Sequence, residues 1–174
     1  MTVDTQRPWL FFDVDGVASP IPPPGQRRQR DRTVPVGYRT WPYAMWDVYV
    51  HNVLAVWGRE LDRGFEVIWT TDWQQNAPTG IGEPAGLPTW PYLSLSHENL
   101  RGMRSRVAHK AVAIMDLLER DPRPFGWIDD HLFHGGPKRV QEIELPKLLL
   151  RPNKYTGITR EHVDALLGFA ARVS

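Results

Sequence analysis

The chain has 174 residues, of which 21 are basic and 20 acidic, so its net charge of +1 creates no whole-molecule field that attracts nucleic acid or an anionic membrane. This length suffices for one substantial hydrophobic core, and we expect a single domain over residues 1–174. The lack of cysteine excludes disulfides and thiolate metal sites. Without a signal-peptide pattern or an apolar segment of about 18 residues, the expected location is the cytoplasm.

The first predicted strand, WLFF at 9–12, is a short continuous apolar run of the kind that forms buried parallel strands. Two acids, Asp13 and Asp15, follow it, and Gly16 begins a turn. Carboxylates are rarely buried unless they are paired or bound to a cation. The end of this strand therefore predicts a partner for both acids.

Proline and arginine dominate the segment after the first strand, which predicts a loop or flap over residues 17–40. The basic run at 26–32 is the most concentrated in the chain. Arg27, Arg28 and Arg30 are candidate contacts for a polyanion such as a nucleic-acid end. A solvated loop without a binding role is the alternative interpretation.

From about Trp41 onwards, apolar residues recur at helical spacing and predict one helix with a buried face. That face comprises Trp46, Val50, Val53, Leu54, Trp57 and Leu61. The second predicted strand is FEVIWTT at 65–71, which ends on Thr70 and Thr71. A loop rich in glycine and proline follows, and YLSLS at 92–96 alternates as an edge strand does.

A further helix and strand follow in the second half of the chain. Ser105 is the predicted cap of a helix that carries Lys110 and ends before Asp121 and Pro122. The next strand is FGWIDD at 125–130, and it again ends on two acids. This strand therefore repeats the pattern of the first one.

A weak helical stretch at 137–144, the strand PKLLLRP at 146–152 and a closing helix capped by Thr159 complete the pattern. Strands that alternate with helices or long loops favour a parallel sheet covered on both faces. Ligands of such sheets bind beyond the carboxyl ends of the strands. Three of the predicted strands end there in reactive side chains.

Two pairs of carboxylates at neighbouring strand ends repel each other unless a divalent cation lies between them. The candidate ligands are all oxygen atoms, so Mg²⁺ is the expected cation. A metal beside a carboxylate suggests phosphoryl transfer, in which one Asp is the nucleophile and a second acid moves the protons. Thr71 supplies a hydroxyl, and Lys110 a point charge, for the transferred phosphoryl group.

Four motifs, in this order, resemble those of the haloacid dehalogenase (HAD) superfamily. They are DVDGV at 13–17, VIWTT at 67–71, HKAV at 109–112 and WIDD at 127–130. The resemblance implies a Rossmann-like α/β core, with a mostly parallel five-stranded sheet, helices on both faces and a minimal or absent cap. The chain is also similar, more narrowly, to small HAD domains of actinobacteria and phages, some of them attached to RNA-repair proteins.

The resemblance assigns the four carboxylates. Asp13 would be the nucleophile and a metal ligand. Asp15 would be the general acid and base, and its backbone carbonyl would bind Mg²⁺. Asp130 or Asp129 would complete the metal shell, with Asp130 favoured for direct ligation and Asp129 for its support.

The resemblance also assigns the residues around the phosphate. Thr71 would bind phosphate, and Lys110 would tie the nucleophile to the phosphate. The family pattern places a small residue, Thr and Gly at the second motif, where this chain has Thr70, Thr71 and Asp72, so either threonine remains a candidate. Trp73, just past them, is a candidate for stacking on a base.

His131 and His134 follow the paired acids three residues apart, a spacing that a transition-metal site can use. No third ligand of that kind is evident, so a surface position or a contact with substrate is the favoured interpretation.

The resulting prediction is a Mg²⁺-dependent phosphatase that cleaves a phosphomonoester through an aspartyl-phosphate. A nucleotide or a polynucleotide end is the expected substrate, because a small cap leaves the site open. A non-catalytic HAD-like module that binds phosphate or nucleic acid is the alternative. A nucleotide-sugar transferase would leave the Thr, Lys and paired-acid motifs without a role, and a receiver domain has its motifs in another order.

Overall fold

A four-stranded parallel sheet forms the centre of the computed structural model, which describes residues 6–21, 36–43, 46–95, 106–132 and 137–174. Its strands, in chain order, are β1 (Trp9–Phe12), β4 (Glu66–Trp69), β5 (Phe125–Ile128) and β6 (Lys147–Leu150). In space the order is β4-β1-β5-β6. A separate antiparallel hairpin consists of β2 (Tyr38–Tyr43) and β3 (Trp46–His51).

Helices connect the strands as the alternating pattern predicts. The described helices are α1 (Leu54–Gly64), the short α2 (Glu83–Ala85), α3 (Arg106–Arg120), the short α4 (Lys138–Gln141) and α5 (Arg160–Val173). A 3₁₀ turn (Gln74–Asn76) and a π-helical turn (Pro78–Gly82) lie between β4 and α2. The predicted end of α3 before Asp121 and the predicted start of α5 after Thr159 are confirmed.

The two faces of the sheet pack against different helices. Leu10 and Phe12 of β1 join the core that includes α1 and α5, whereas Trp9 and Phe11 join the core that includes α3. All four side chains are buried, because a central parallel strand is covered on both sides. This explains why β1 is a continuous apolar run in the sequence. Helices on both faces of the sheet are therefore confirmed.

The predicted five-stranded sheet is wrong by one strand, because the described residues place four strands in it. Tyr92, in the segment predicted as an edge strand, forms only an isolated parallel bridge with Trp69. Trp69 donates its backbone N–H to Pro91 and accepts one from Leu93, at 2.8 and 2.7 Å. The preceding rung of this ladder would need an N–H on Pro91, which proline lacks. The following rung would need the N–H of Leu95, which donates instead to Gln74 Oε1 at 3.3 Å. The ladder therefore ends after one bridge.

The predicted helix from Trp41 is also wrong over its first half. This segment forms the β2–β3 hairpin, and the helix α1 begins only at Leu54. Val48 and Val50 are buried in one core at a strand spacing of two, and β-branched and aromatic residues favour strands. The end of the predicted 17–40 loop, from Tyr38 onwards, likewise belongs to β2.

Candidate active site

The parallel register brings the predicted site residues to one edge of the sheet. Phe12 of β1 pairs with Trp69 of β4 and with Ile128 of β5, so the residues that follow these three strand ends lie at one level. These residues are Asp13, Thr70 and Asp129. Each also keeps a backbone hydrogen bond to the neighbouring strand, with N···O distances of 3.2, 2.8 and 3.1 Å, respectively. The sheet therefore fixes their positions.

The strand order places a crevice between β1 and β5. From β1 the chain crosses to β4 on one side, whereas from β5 it crosses to β6 on the other side. Loops that leave neighbouring strands in opposite directions open the crevice in which α/β sheets bind ligands. Asp13 follows one of these strands, and Asp129 and Asp130 follow the other.

Lys110 joins two of the predicted carboxylates directly. It lies on α3, and its Nζ is 2.7 Å from Asp13 Oδ2 and 2.7 Å from Asp129 Oδ2. The side chains of all three residues are at most 5% exposed. The second oxygen of each carboxylate accepts a backbone N–H at 2.8 Å, from Val14 and His131, respectively. Both carboxylates are therefore held at two points.

The electrostatics of this cluster are dominated by burial. Burial raises the pKa of Asp13 to about 8, with Lys110 opposing the rise and Asp129 adding to it. Burial also acts to lower the pKa of Lys110, but the two carboxylates outweigh burial and raise it above its ordinary value. Two carboxylates and one ammonium leave an excess of one negative charge when all are ionised. A buried excess charge favours uptake of a further cation.

Asp130 lies beside the turn that follows Asp15. A Cβ atom built on Gly16 would lie 2.6 Å from Asp130 Cγ, and Gly16 has a φ of +75°, so only glycine fits here. Asp130 Oδ1 is 2.7 Å from Nδ1 of the half-exposed His131. The carbonyl of Asp130 accepts a hydrogen bond from Arg151 Nε at 3.0 Å. Burial raises the pKa of Asp130, and His131 opposes that rise.

The turn that carries Asp15 is closed by its own backbone and by the loop before α5. Gly16 N–H donates to the carbonyl of Ser19 at 2.7 Å, and Ser19 N–H donates to Val14 at 2.9 Å. Val17 accepts a hydrogen bond from the N–H of Ile158 at 2.9 Å. The turn after β1 is therefore fastened at several points.

The two threonines differ in how their hydroxyls are used. Thr70 Oγ1 lies 3.3 Å from the carbonyl of Ile68 and donates to it. Thr71 Oγ1 instead accepts the N–H of Trp73 at 3.4 Å, which leaves its own proton for another acceptor. Both threonines are buried. This difference favours Thr71 as the donor to an incoming anion.

Trp73 makes two contacts that the sequence does not suggest. Its Nε1 lies 3.0 Å from Asp15 Oδ2, and its ring stacks on Tyr43 with centroids 4.8 Å apart. One face of the indole is therefore already covered. The sequence analysis missed the Trp73–Asp15 pair. The closeness of Trp73 to the threonine motif in the chain was the feature that could have indicated a place near the site.

Several predicted residues lie outside the described part of the chain. They are Arg27, Arg28, Arg30, Ser105 and His134. Arg151, which the sequence analysis did not single out, reaches the site because it follows β6 as Asp129 follows β5. The feature of the sequence that could have identified Arg151 is its position directly after a predicted strand.

Carboxylates and one imidazole at this edge lie close enough together to hold a cation. One ligand atom from each of Asp129, Asp130 and His131 lies within 4.8 Å of the others. Asp129 forms an ion pair with Lys110. The carboxylate of Asp130 instead lies against Gly16, the residue that follows Asp15 in the chain. Carboxylate and carbonyl oxygens are the ligands that Mg²⁺ prefers. The geometry thus favours Asp130 for direct ligation and Asp129 for its support.

Comparison of the chain with family models, curated proteins and solved structures found no match in any of the three. A search of the described helices for one both long and apolar enough to cross a bilayer found none.

Proposed function

We propose that this chain is a Mg²⁺-dependent phosphomonoester hydrolase of the HAD type, with Asp13 as nucleophile. The observation that carries the proposal is the buried bridge from Lys110 to Asp13 and Asp129, at the crevice between β1 and β5. The three groups are held there by different elements: Asp13 follows β1, Lys110 lies on α3 and Asp129 follows β5. Such preorganised charge is what phosphoryl transfer requires.

In the first half of the reaction, an Asp13 carboxylate oxygen forms a bond to phosphorus, and the bond from phosphorus to the leaving oxygen breaks. Lys110 stabilises the negative charge of the phosphoryl group, and the Thr71 hydroxyl donates a hydrogen bond to one of its oxygens. Asp15 gives its proton to the leaving oxygen, so that an alcohol departs.

In the second half, Asp15 takes a proton from water as the water oxygen attacks phosphorus. The bond between Asp13 and phosphorus breaks, which restores the Asp13 carboxylate and releases inorganic phosphate. Asp13, Asp130 and the Asp15 carbonyl would hold Mg²⁺. When bound, Mg²⁺ would neutralise charge on the phosphoryl oxygens.

A nucleotide or a polynucleotide end remains the proposed substrate class. Its support is the basic run at 26–32, which follows the nucleophile strand in the sequence. The proposed location in the cytoplasm rests on sequence composition alone.

The test is a phosphatase screen with Mg²⁺ or with a chelator. The panel contains p-nitrophenyl phosphate, nucleotides, sugar phosphates, and oligonucleotides phosphorylated at the 5′ or the 3′ end. We expect Mg²⁺-dependent turnover that Asp13→Asn lowers by roughly three orders of magnitude or more, since it removes the nucleophile. Asp116→Asn makes the same chemical change at an exposed position of α3 and is the matched control.

Absence of turnover on the whole panel would overturn the catalytic proposal. Binding of the phosphorylated oligonucleotides without hydrolysis would instead support a non-catalytic phosphate-binding module.

A further inference from the structure

Trp73 connects the two parts of the site that transfer protons and bind phosphate. Its indole Nε1–H donates to Asp15 Oδ2 at 3.0 Å, and its backbone N–H donates to Thr71 Oγ1 at 3.4 Å. Trp73 follows β4, whereas Asp15 follows β1, so the contact crosses between two strand ends. One residue therefore sets the orientation of two predicted site groups.

Two neighbouring segments hold the indole ring in place. Tyr43, at the end of β2, stacks on it with an interplanar angle of 26°. A Cβ atom built on Gly80 would lie 3.0 Å from Trp73 Cζ3 and 2.8 Å from Tyr43 Cε2. The carbonyl of Gly80 in turn accepts the indole N–H of Trp41 at 3.2 Å. The hairpin and the π-helical turn thus fix the ring that contacts Asp15.

We propose that Trp73 is a positioning residue for proton transfer by Asp15, an inference that rests on the proposed function. The indole N–H can donate but cannot accept a hydrogen bond. Asp15 Oδ2 must therefore remain the acceptor, and the proton that Asp15 transfers is carried on Oδ1. In this role Trp73 acts through Asp15.

The proton on Oδ1 has a defined path through the reaction. As Asp13 bonds to phosphorus, the leaving oxygen takes the Oδ1 proton and Asp15 becomes a carboxylate. Water then returns a proton to Oδ1 as its oxygen bonds to phosphorus and the Asp13–phosphorus bond breaks. Throughout both halves, the N–H of Trp73 stays on Oδ2.

The decisive variant is Trp73→Phe, which removes the N–H and keeps an aromatic ring for Tyr43. We expect kcat/KM to fall about tenfold for an alkyl phosphate but less than about threefold for p-nitrophenyl phosphate, because a good leaving group needs little protonation. We expect KM to change little, since the proposed role of Trp73 is exerted on Asp15. The readout is the ratio of kcat/KM between the two substrates, because a purely structural defect would lower both values equally.

Trp90→Phe is the matched control, because it makes the same change at a tryptophan whose N–H donates to Asp62 of α1, at 2.9 Å, and not to Asp15. We expect it to leave the ratio between the two substrates unchanged. If Trp73→Phe does not fold, Tyr43→Leu loosens the same ring, and we expect a smaller loss with the same preference for the good leaving group.

The outcomes separate the two proposals. A wild-type enzyme that turns over both substrates, with a uniform loss in Trp73→Phe or an equal shift of the ratio in Trp90→Phe, overturns the positioning role only. A wild-type protein without turnover overturns the proposed function and the proton path with it. The hydrogen bond itself is checked by NMR, since Asp15→Ala must shift the indole N–H resonance of Trp73; an unmoved resonance contradicts the contact.

Discussion

At the scale of single residues, Lys110 determines the charge balance of the site. Its ammonium group is shared by two buried carboxylates, and neither has another described cation at a comparable distance. Removing one partner of a buried ion pair leaves an uncompensated charge, which is more damaging than removing the whole pair. We therefore expect Lys110 to matter for folding as well as for the proposed binding of phosphate.

We expect Lys110→Met to lower the free energy of unfolding by about 3–5 kcal/mol at neutral pH, because the buried Asp13 and Asp129 then lose the ammonium group that compensates them, and Asp13 is held in its protonated form. Urea unfolding of the metal-free protein measures this change. Lys138→Met, at an exposed position of α4, is the control, and we expect it to stay within about 0.5 kcal/mol of the wild type. A loss below about 1 kcal/mol for Lys110→Met would show that the bridge does not stabilise the fold.

The residue types at the site were predictable from the sequence, but their pairing was only partly so. Asp13, Lys110 and Asp129 occur in motifs of recognisable order, and the structure brings these three side chains together. The pair of Trp73 with Asp15 depends on a turn after β4, and no periodicity in the sequence encodes that turn. Contacts made by loop side chains are therefore the least predictable part of the site.

At the scale of secondary structure, the four parallel strands could be predicted because each is a local apolar run. The β2–β3 hairpin could not, because its apolar residues also match a helical period. Val48 and Val50 satisfy the strand period, while Trp57 and Leu61 satisfy the helix period in α1. The hydrophobic pattern alone does not show where one period ends and the next begins.

The cap of α5 provides a prediction that depends on pH. Thr159 N–H donates to His162 Nδ1 at 3.1 Å, and the Thr159 hydroxyl lies 2.7 Å from the same atom. The backbone bond requires Nδ1 to be an acceptor, so it forms only with the neutral imidazole. Burial lowers the pKa of His162 below its ordinary value of 6.5, with Glu161 opposing this. The neutral ring is therefore the form that the fold stabilises.

Because the folded-state pKa of His162 is lowered, its stabilising effect is complete above pH 6.5 and is lost as the pH falls through the folded-state pKa. We expect the free energy of unfolding to fall less steeply between pH 7 and pH 5 in His162→Gln than in the wild type. Glutamine at this position still accepts the cap N–H but does not titrate. Chemical unfolding at a series of pH values measures both slopes, and equal slopes would contradict the assignment.

At the scale of the whole molecule, the strand order decides where the proposed active site lies. The sequence alternates strands and helices, but it does not state that β1 lies between β4 and β5. That order brings Asp13 beside Asp129 and Asp130, although more than a hundred residues separate them in the chain. The crevice therefore exists only in the folded state, which links its ligands to the stability of the whole protein.

A divalent cation that binds this crevice must stabilise the fold, because the unfolded chain lacks the site. We expect Mg²⁺ at one hundred times its dissociation constant to raise the free energy of unfolding by about 2.7 kcal/mol. Asp130→Asn should abolish most of this gain, because Asp130 supplies a carboxylate beside Gly16, whereas the exposed control Asp116→Asn should retain it. Thermal unfolding with and without Mg²⁺ measures the increment in each protein. An equal increment in Asp130→Asn would place the cation elsewhere and would remove Asp130 from the proposed metal site, since binding confined to the folded crevice must depend on its carboxylates.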